Sequence, residues 1–159
     1  RFGEIAEELG GGPLTLTHRD YHSWNLFLCE GLIRIIDFQD ALLAPVPYDL
    51  ATLLNDRATP TLIDPALERA LVGHFCAKRR ELLGDALRVD AFLARYFLFV
   101  LQKSFKIVGR FHYLEEVKGK QGYVAMLPHT YSTLRRCFDN LPALADVRGV
   151  LARAFAELR

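Results

Sequence analysis

Three oxygen-bearing side chains, Asp20, Asn25 and Asp37, fall in one short stretch of the chain, His18-Arg19-Asp20-Tyr21-His22-Ser23-Trp24-Asn25 followed by Ile35-Ile36-Asp37-Phe38. Their types and order suit phosphoryl transfer. That chemistry asks for little covalent work from a protein. It needs a carboxylate to take the proton of the attacking hydroxyl, and oxygen ligands that hold Mg²⁺ on the phosphates. Asp20 fits the first task, and Asn25 and Asp37 fit the second. Mg²⁺ is a hard ion that takes one or two protein oxygens and fills its shell with phosphate oxygens and water.

These residues need elements that bring them together. Leu14-Thr15-Leu16-Thr17 is short, apolar and β-branched, and reads as a strand that delivers His18 to Asn25 as a loop. Leu26 to Cys29 reads as a second strand, Glu30-Gly31 as a tight turn, and Leu32 to Ile36 as a third strand ending at Asp37. A hairpin that starts at Asn25 and ends at Asp37 draws the two toward a shared ion. The rival reading is a transition-metal cluster of His18, Asp20 and His22. Zinc hydrolases place two His on one helical face with a Glu between them. Here the two His flank a loop, no Glu follows His18 and no further His or Cys gathers nearby. His18 reads better as structural, its ring bonding the loop backbone, and Arg19 as the partner of a nearby carboxylate.

The run His18-Arg19-Asp20 with Asn25 five residues on matches the protein-kinase catalytic-loop pattern. Asp37-Phe38-Gln39-Asp40-Ala41, Pro45 and Tyr48-Asp49-Leu50-Ala51-Thr52-Leu53-Leu54-Asn55-Asp56 extend the likeness. Together they resemble the aminoglycoside phosphotransferase and choline kinase superfamily. Within it the chain is similar to the bacterial anomeric sugar kinases of N-acetylmuramate and N-acetylglucosamine. Leu101 to Gly109 and Gly119 to Tyr123 resemble the same branch, so the likeness covers nearly the whole chain. Trp24 departs from it, standing where the branch has Arg.

The resemblance implies Asp20 as catalytic base, Asn25 and Asp37 as Mg²⁺ ligands, and Asp49 as a structural residue that opens a helix and bonds back to the loop held by His18. It implies ATP as the phosphoryl donor and a small-molecule acceptor, an amino sugar in cell-wall recycling. An aminoglycoside or choline-type acceptor and a catalytically silent binding module are the alternatives; intact Asp20, Asn25 and Asp37 argue against the last. Candidate acceptor contacts are His22, Gln39 and Asp40 beside Asp20, with Gln102, Lys103 and Lys106 on a later helix. Lys106 and Arg110 stand i, i+4 and form a basic stripe, ordinarily a solvated face. As a site it would suit the lactyl carboxylate of N-acetylmuramate.

No Gly-rich loop follows a strand, and no Lys with a partner Glu precedes His18. Gly10-Gly11-Gly12 follows a helical pattern and precedes Pro13, so it reads as a helix stop. The expectation is therefore a mainly α fold with a small β-hairpin region (α+β). Residues 1–159 form the C-terminal lobe of a protein-kinase-like fold, with the nucleotide-binding N-terminal lobe of the same polypeptide preceding Arg1. Alone, such a lobe is expected to be inactive.

Composition bounds the rest. At 159 residues and 51% hydrophobic the chain can bury one core. A net charge of +1 offers no broad field for nucleic acid or a membrane surface. Three scattered Cys without a C-x-x-C pair give neither a disulfide scaffold nor a zinc knuckle, no signal peptide is visible, and the expected location is cytoplasmic. Beyond Asp56 the pattern predicts helices over Pro65 to Leu83 with Leu67, Leu71 and Phe75 on one face, over Asp90 to about Glu116, over Pro128 to Phe138, and a last one with Leu144, Val147, Leu151, Phe155 and Leu158.

Overall fold

The computed structural model describes residues 2–56, 59, 62–84 and 87–159. The chain divides into two compact units, Phe2–Tyr96 and Phe97–Arg159. Among the described residues it is mainly α, with two small antiparallel sheets.

In the first unit, helix α1 (Phe2–Gly10) precedes strand β1 (Leu14–Thr17). Strands β2 (Leu26–Cys29) and β3 (Leu32–Ile35) form a hairpin in which Leu26 faces Ile35 and Cys29 faces Leu32. Its two-residue turn has φ of +52° at Glu30 and +77° at Gly31. Two consecutive positive φ values match the right-handed twist of the flanking strands. Strand β4 (Leu42–Pro45), which the sequence pattern does not announce, pairs antiparallel with β1. It has only four residues and ends in a proline, which removes a backbone donor. This pairing positions the site. Thr17 faces Leu42, so the loop leaving β1 and the loop entering β4 spring from the same end of the sheet.

Helix α2 (Pro47–Leu54) follows directly. Its N-cap is Val46, which makes no side-chain cap bond, and Pro47 spends its missing N–H at a position that has no intrahelical partner. Asp49 therefore sits inside the first turn rather than at the cap. Helix α3 (Pro65–Leu83) has both ends written in the sequence. The Asp64 carboxylate accepts from the Leu67 N–H at 2.8 Å, and Gly84, at φ +67°, returns its N–H to Arg80. Its buried stripe is Glu68, Val72 and Cys76, one residue out of phase with the expected Leu67, Leu71 and Phe75. The displacement comes from Glu68, which is buried because the Tyr96 hydroxyl reaches its carboxylate at 2.5 Å and the Asn55 amide at 3.1 Å. A satisfied buried carboxylate is invisible to a count of apolar positions.

Helix α4 (Val89–His112) crosses the boundary between the units. It stops short of Glu116 because residues 113–117 widen into a π turn, with the Lys118 N–H on the Tyr113 carbonyl. Side chains lock that turn: His112 Nδ1 meets Glu116 at 2.7 Å and Glu115 accepts the Val124 N–H at 2.9 Å. Helices α5 (Pro128–Asp139) and α6 (Ala145–Ala154) complete the second unit around Leu134, Cys137, Phe138 and Val147. Phe155 is exposed, against expectation, because α6 ends at Ala154 and Phe155 turns extended.

The sheets of the first unit carry much apolar surface in contact with water. Leu16 is 72% exposed, Leu28 78%, Ile33 67% and Leu43 66%. No helix among the described residues is long and apolar enough to cross a membrane.

Candidate active site

The loop after β1 is pinned from α2. The two oxygens of Asp49 accept the backbone N–H groups of His18 and Arg19, at 2.7 and 3.0 Å. Arg19 adopts φ +75°, a left-handed conformation that costs a non-glycine residue free energy and needs outside support. The Arg19 guanidinium reaches the Asp40 backbone carbonyl at 3.4 Å, so its carboxylate partner is met through its own N–H and not through its side chain.

His18 is buried and its Nε2 lies 2.8 Å from the Ile36 carbonyl. A carbonyl can only accept, so Nε2 carries the proton in this bond. The other ring nitrogen, Nδ1, is buried without a hydrogen-bond partner among the described residues. The ring joins the Asp20 loop to the strand end that precedes Asp37.

Asp20 itself is exposed, and its backbone carbonyl gathers the loop, accepting from the His22 N–H at 3.0 Å and from Asn25 Nδ2 at 2.9 Å. Residues 23–25 make one turn of 3-10 helix, and the buried Asn25 accepts the Ile36 N–H on its backbone carbonyl at 3.1 Å. Since Nδ2 is committed to a carbonyl, the amide orientation is fixed and Oδ1 is the atom left for a cation. Asp37 follows Ile36 at φ +64°, with Oδ1 accepting from Gln39 Nε2 at 2.8 Å. Its second oxygen remains for a ligand. Both donors are hard oxygens, as Mg²⁺ prefers. Among the described residues no group of three or more His, Cys, Asp or Glu gathers to hold a metal. Asn25 Oδ1 and the second oxygen of Asp37 fit a hard cation such as Mg²⁺.

The candidate acceptor contacts divide. Gln39 and Asp40 are exposed in the loop that follows Asp37, and Gln39 spends its amide on Asp37. His22 is half-buried, with Nδ1 unpartnered among the described residues. Trp24 is exposed and does not pack on the loop. Gln102, Lys103 and Lys106 lie on the part of α4 that belongs to the second unit; Gln102 and Lys106 are exposed and Lys103 is half-buried. Sequence reasoning missed a bond from Ser23 Oγ to Asp56 Oδ2 at 2.9 Å. The available signal was the spacing of Asp49 and Asp56, seven residues apart, in the first turn of α2 and just past its end.

Residues 4–95 match the model of the phosphotransferase enzyme family. The chain is 35% identical over 136 residues to the N-acetylmuramate/N-acetylglucosamine kinase of Caulobacter vibrioides, covering 82% of this chain and 35% of that protein. It is 32% identical over 142 residues to the enzyme of the same name from Pseudomonas aeruginosa, covering 88% and 41%. It is 31% identical over 146 residues to that from Neisseria meningitidis, covering 91% and 43%. The chain thus spans less than half the length of these curated relatives.

Proposed function

We propose, since the chain belongs to the phosphotransferase enzyme family, that it is the C-terminal, catalytic lobe of an ATP-dependent kinase. Its acceptor is the anomeric hydroxyl of N-acetylmuramate or N-acetylglucosamine, in cell-wall recycling. The observation that carries this reading is the pinned loop: Asp49 fixes its start, Asp20 stands exposed, and Asn25 has one oxygen to spare. The names of the relatives support the acceptor.

In this reading the Asp20 carboxylate takes the proton of the acceptor hydroxyl as its oxygen bonds the γ-phosphorus. The bond from that phosphorus to the bridging oxygen breaks, and the electron pair leaves with ADP. Asn25 Oδ1 and Asp37 would hold the metal, which would neutralise charge developing on the phosphates. Gln39 orients Asp37, and Asp49 with His18 holds the loop against the strand end. A second lobe of the same polypeptide covers the nucleotide. The apolar sheet surface at Leu16, Leu28, Ile33 and Leu43 supports this, since patches of that kind mark interfaces.

The test is a panel of acceptors given to the full-length polypeptide with Mg²⁺-ATP, following ADP release. N-acetylmuramate or N-acetylglucosamine is expected to give the highest kcat/KM. A higher value with choline or an aminoglycoside overturns the acceptor. The isolated chain is expected to show no steady turnover, because positioning by both lobes supplies most of the rate in this chemistry. Steady turnover by it alone removes the two-lobe assignment.

A further inference from the structure

Asn25 can hold an ion only if its turn is held in place. The bonds from its amide and its backbone N–H end on Asp20 and His22, within the same loop. They set the shape of the loop, and the Asn25 carbonyl, accepting the Ile36 N–H at 3.1 Å, ties the turn to the hairpin but not to α2. Asp49 fixes the entry to the loop, at His18 and Arg19. At the exit, Ser23 opens the turn that presents Asn25, accepts the Leu26 N–H on its carbonyl, and donates its hydroxyl to Asp56 at 2.9 Å.

Asp56 stands on firm ground. It follows α2, and its backbone carbonyl accepts the Thr59 N–H at 3.0 Å, while the Thr59 hydroxyl returns to Leu53 at 3.0 Å. The neighbouring Asn55 amide reaches the Tyr96 hydroxyl at 2.7 Å and Glu68 at 3.1 Å, both in the buried core. Asp49 lies in the first turn of α2, and Asp56 stands two residues past its end at Leu54. The helix and the segment that leaves it thus supply one carboxylate for each end of the loop.

We infer that Asp56 is a positioning residue that acts through Ser23 to hold Asn25 at its metal-facing position. It touches neither substrate nor ion. The inference rests on the phosphotransfer reading above. A hydroxyl-to-carboxylate bond is charge-assisted and directional, so removing either partner should free the turn.

The test measures Mn²⁺ binding to the full-length protein and amide hydrogen exchange at Asn25 and Leu26 in the metal-free protein. Turnover with Mg²⁺-ATP and N-acetylmuramate is followed alongside. Ser23→Ala and Asp56→Ala should each weaken Mn²⁺ binding by about three- to tenfold, speed exchange, and lower kcat with little change in the KM of the sugar. The double variant should be no worse than either single one. Asp56→Asn keeps an acceptor for the hydroxyl and should restore most of the affinity. Wild-type Mn²⁺ affinity and exchange in both alanine variants overturn the proposal, and so do additive losses or an Asp56→Asn variant as weak as Asp56→Ala. Binding and exchange need no sugar. A protein that binds Mn²⁺ but phosphorylates no acceptor therefore defeats the proposed function and leaves this inference to be decided on its own data.

Discussion

Asp49 holds Arg19 in a backbone conformation that an arginine does not choose: φ is +75° and the Arg19 N–H rests on Asp49 Oδ1 at 3.0 Å. The second oxygen of the carboxylate takes the His18 N–H. Removing Asp49 orphans two backbone donors at once and leaves the strain unopposed. Asp49→Ala should lower stability by about 1–3 kcal/mol and turnover by much more. Arg19→Gly in that background should recover part of the stability, since glycine adopts positive φ freely. Urea denaturation midpoints at unchanged slope read both effects. An Asp49→Ala protein with wild-type midpoint and turnover would show that the loop is held by something else.

The exposed Asp20 carboxylate makes no hydrogen bond among the described residues, while its carbonyl holds the loop. Asp20→Asn keeps the loop and removes the base. In the full-length enzyme it should cut kcat by about 10²–10⁴ with a smaller change in KM. A variant turning over near the wild-type rate takes Asp20 out of the mechanism.

Gln39 offers a sharper choice, because its sequence position suggested the acceptor and its amide is found on Asp37. Gln39→Ala should weaken Mg²⁺-nucleotide binding by a few-fold, on the order of one hydrogen bond to a charged group, and leave the KM of the sugar alone. Asp37→Ala should abolish turnover and weaken the same binding far more, because the proposed site would lose the carboxylate assigned to the ion. If Gln39→Ala raises the sugar KM and spares the nucleotide, Gln39 is an acceptor contact after all.

What could be read in advance divides by range along the chain. Both ends of α3 were legible because an Asp cap, a Pro at the first helical position and a left-handed Gly act locally. The hairpin turn at Glu30-Gly31 was legible for the same reason. Strand β4 was not, because four residues ending in Pro45 carry too little pattern and owe their conformation to β1. The buried face of α3 was misplaced because Glu68 is satisfied by Asn55 and by Tyr96, a partner 28 residues away. The site does not follow that division. The bond from Gln39 to Asp37 spans two positions and was not read, as the 33-position bond from Ser23 to Asp56 was not, whereas that from His18 to Asp49 spans 31 and was implied by the family resemblance. Acceptor contacts are the least legible, since Gln102, Lys103 and Lys106 belong to a different unit from Asp20.

The Cys137 thiol and the Tyr131 phenol of the second unit set an alkaline limit on stability. Burial pushes Cys137 from 9.0 up to about 12, against a smaller opposing pull from the neighbouring Arg136 guanidinium. Tyr131 is also raised from 10.0, by burial first and by Glu157 second. In both cases the folded chain holds a proton that the unfolded chain gives up earlier. The stabilisation is complete below about pH 9 and is lost as pH climbs toward about 12. Urea midpoints should be level between pH 7 and about 8.5 and fall steadily above that range. Cys137→Ser, which keeps nearly the same size without a titrating thiol, should flatten part of the slope. In the native protein at pH 8, iodoacetamide should modify the exposed Cys29 and spare Cys137, which reacts only once urea unfolds the chain. Equal rates of alkylation at Cys29 and Cys137 in the native state would refute the burial on which this pH dependence stands.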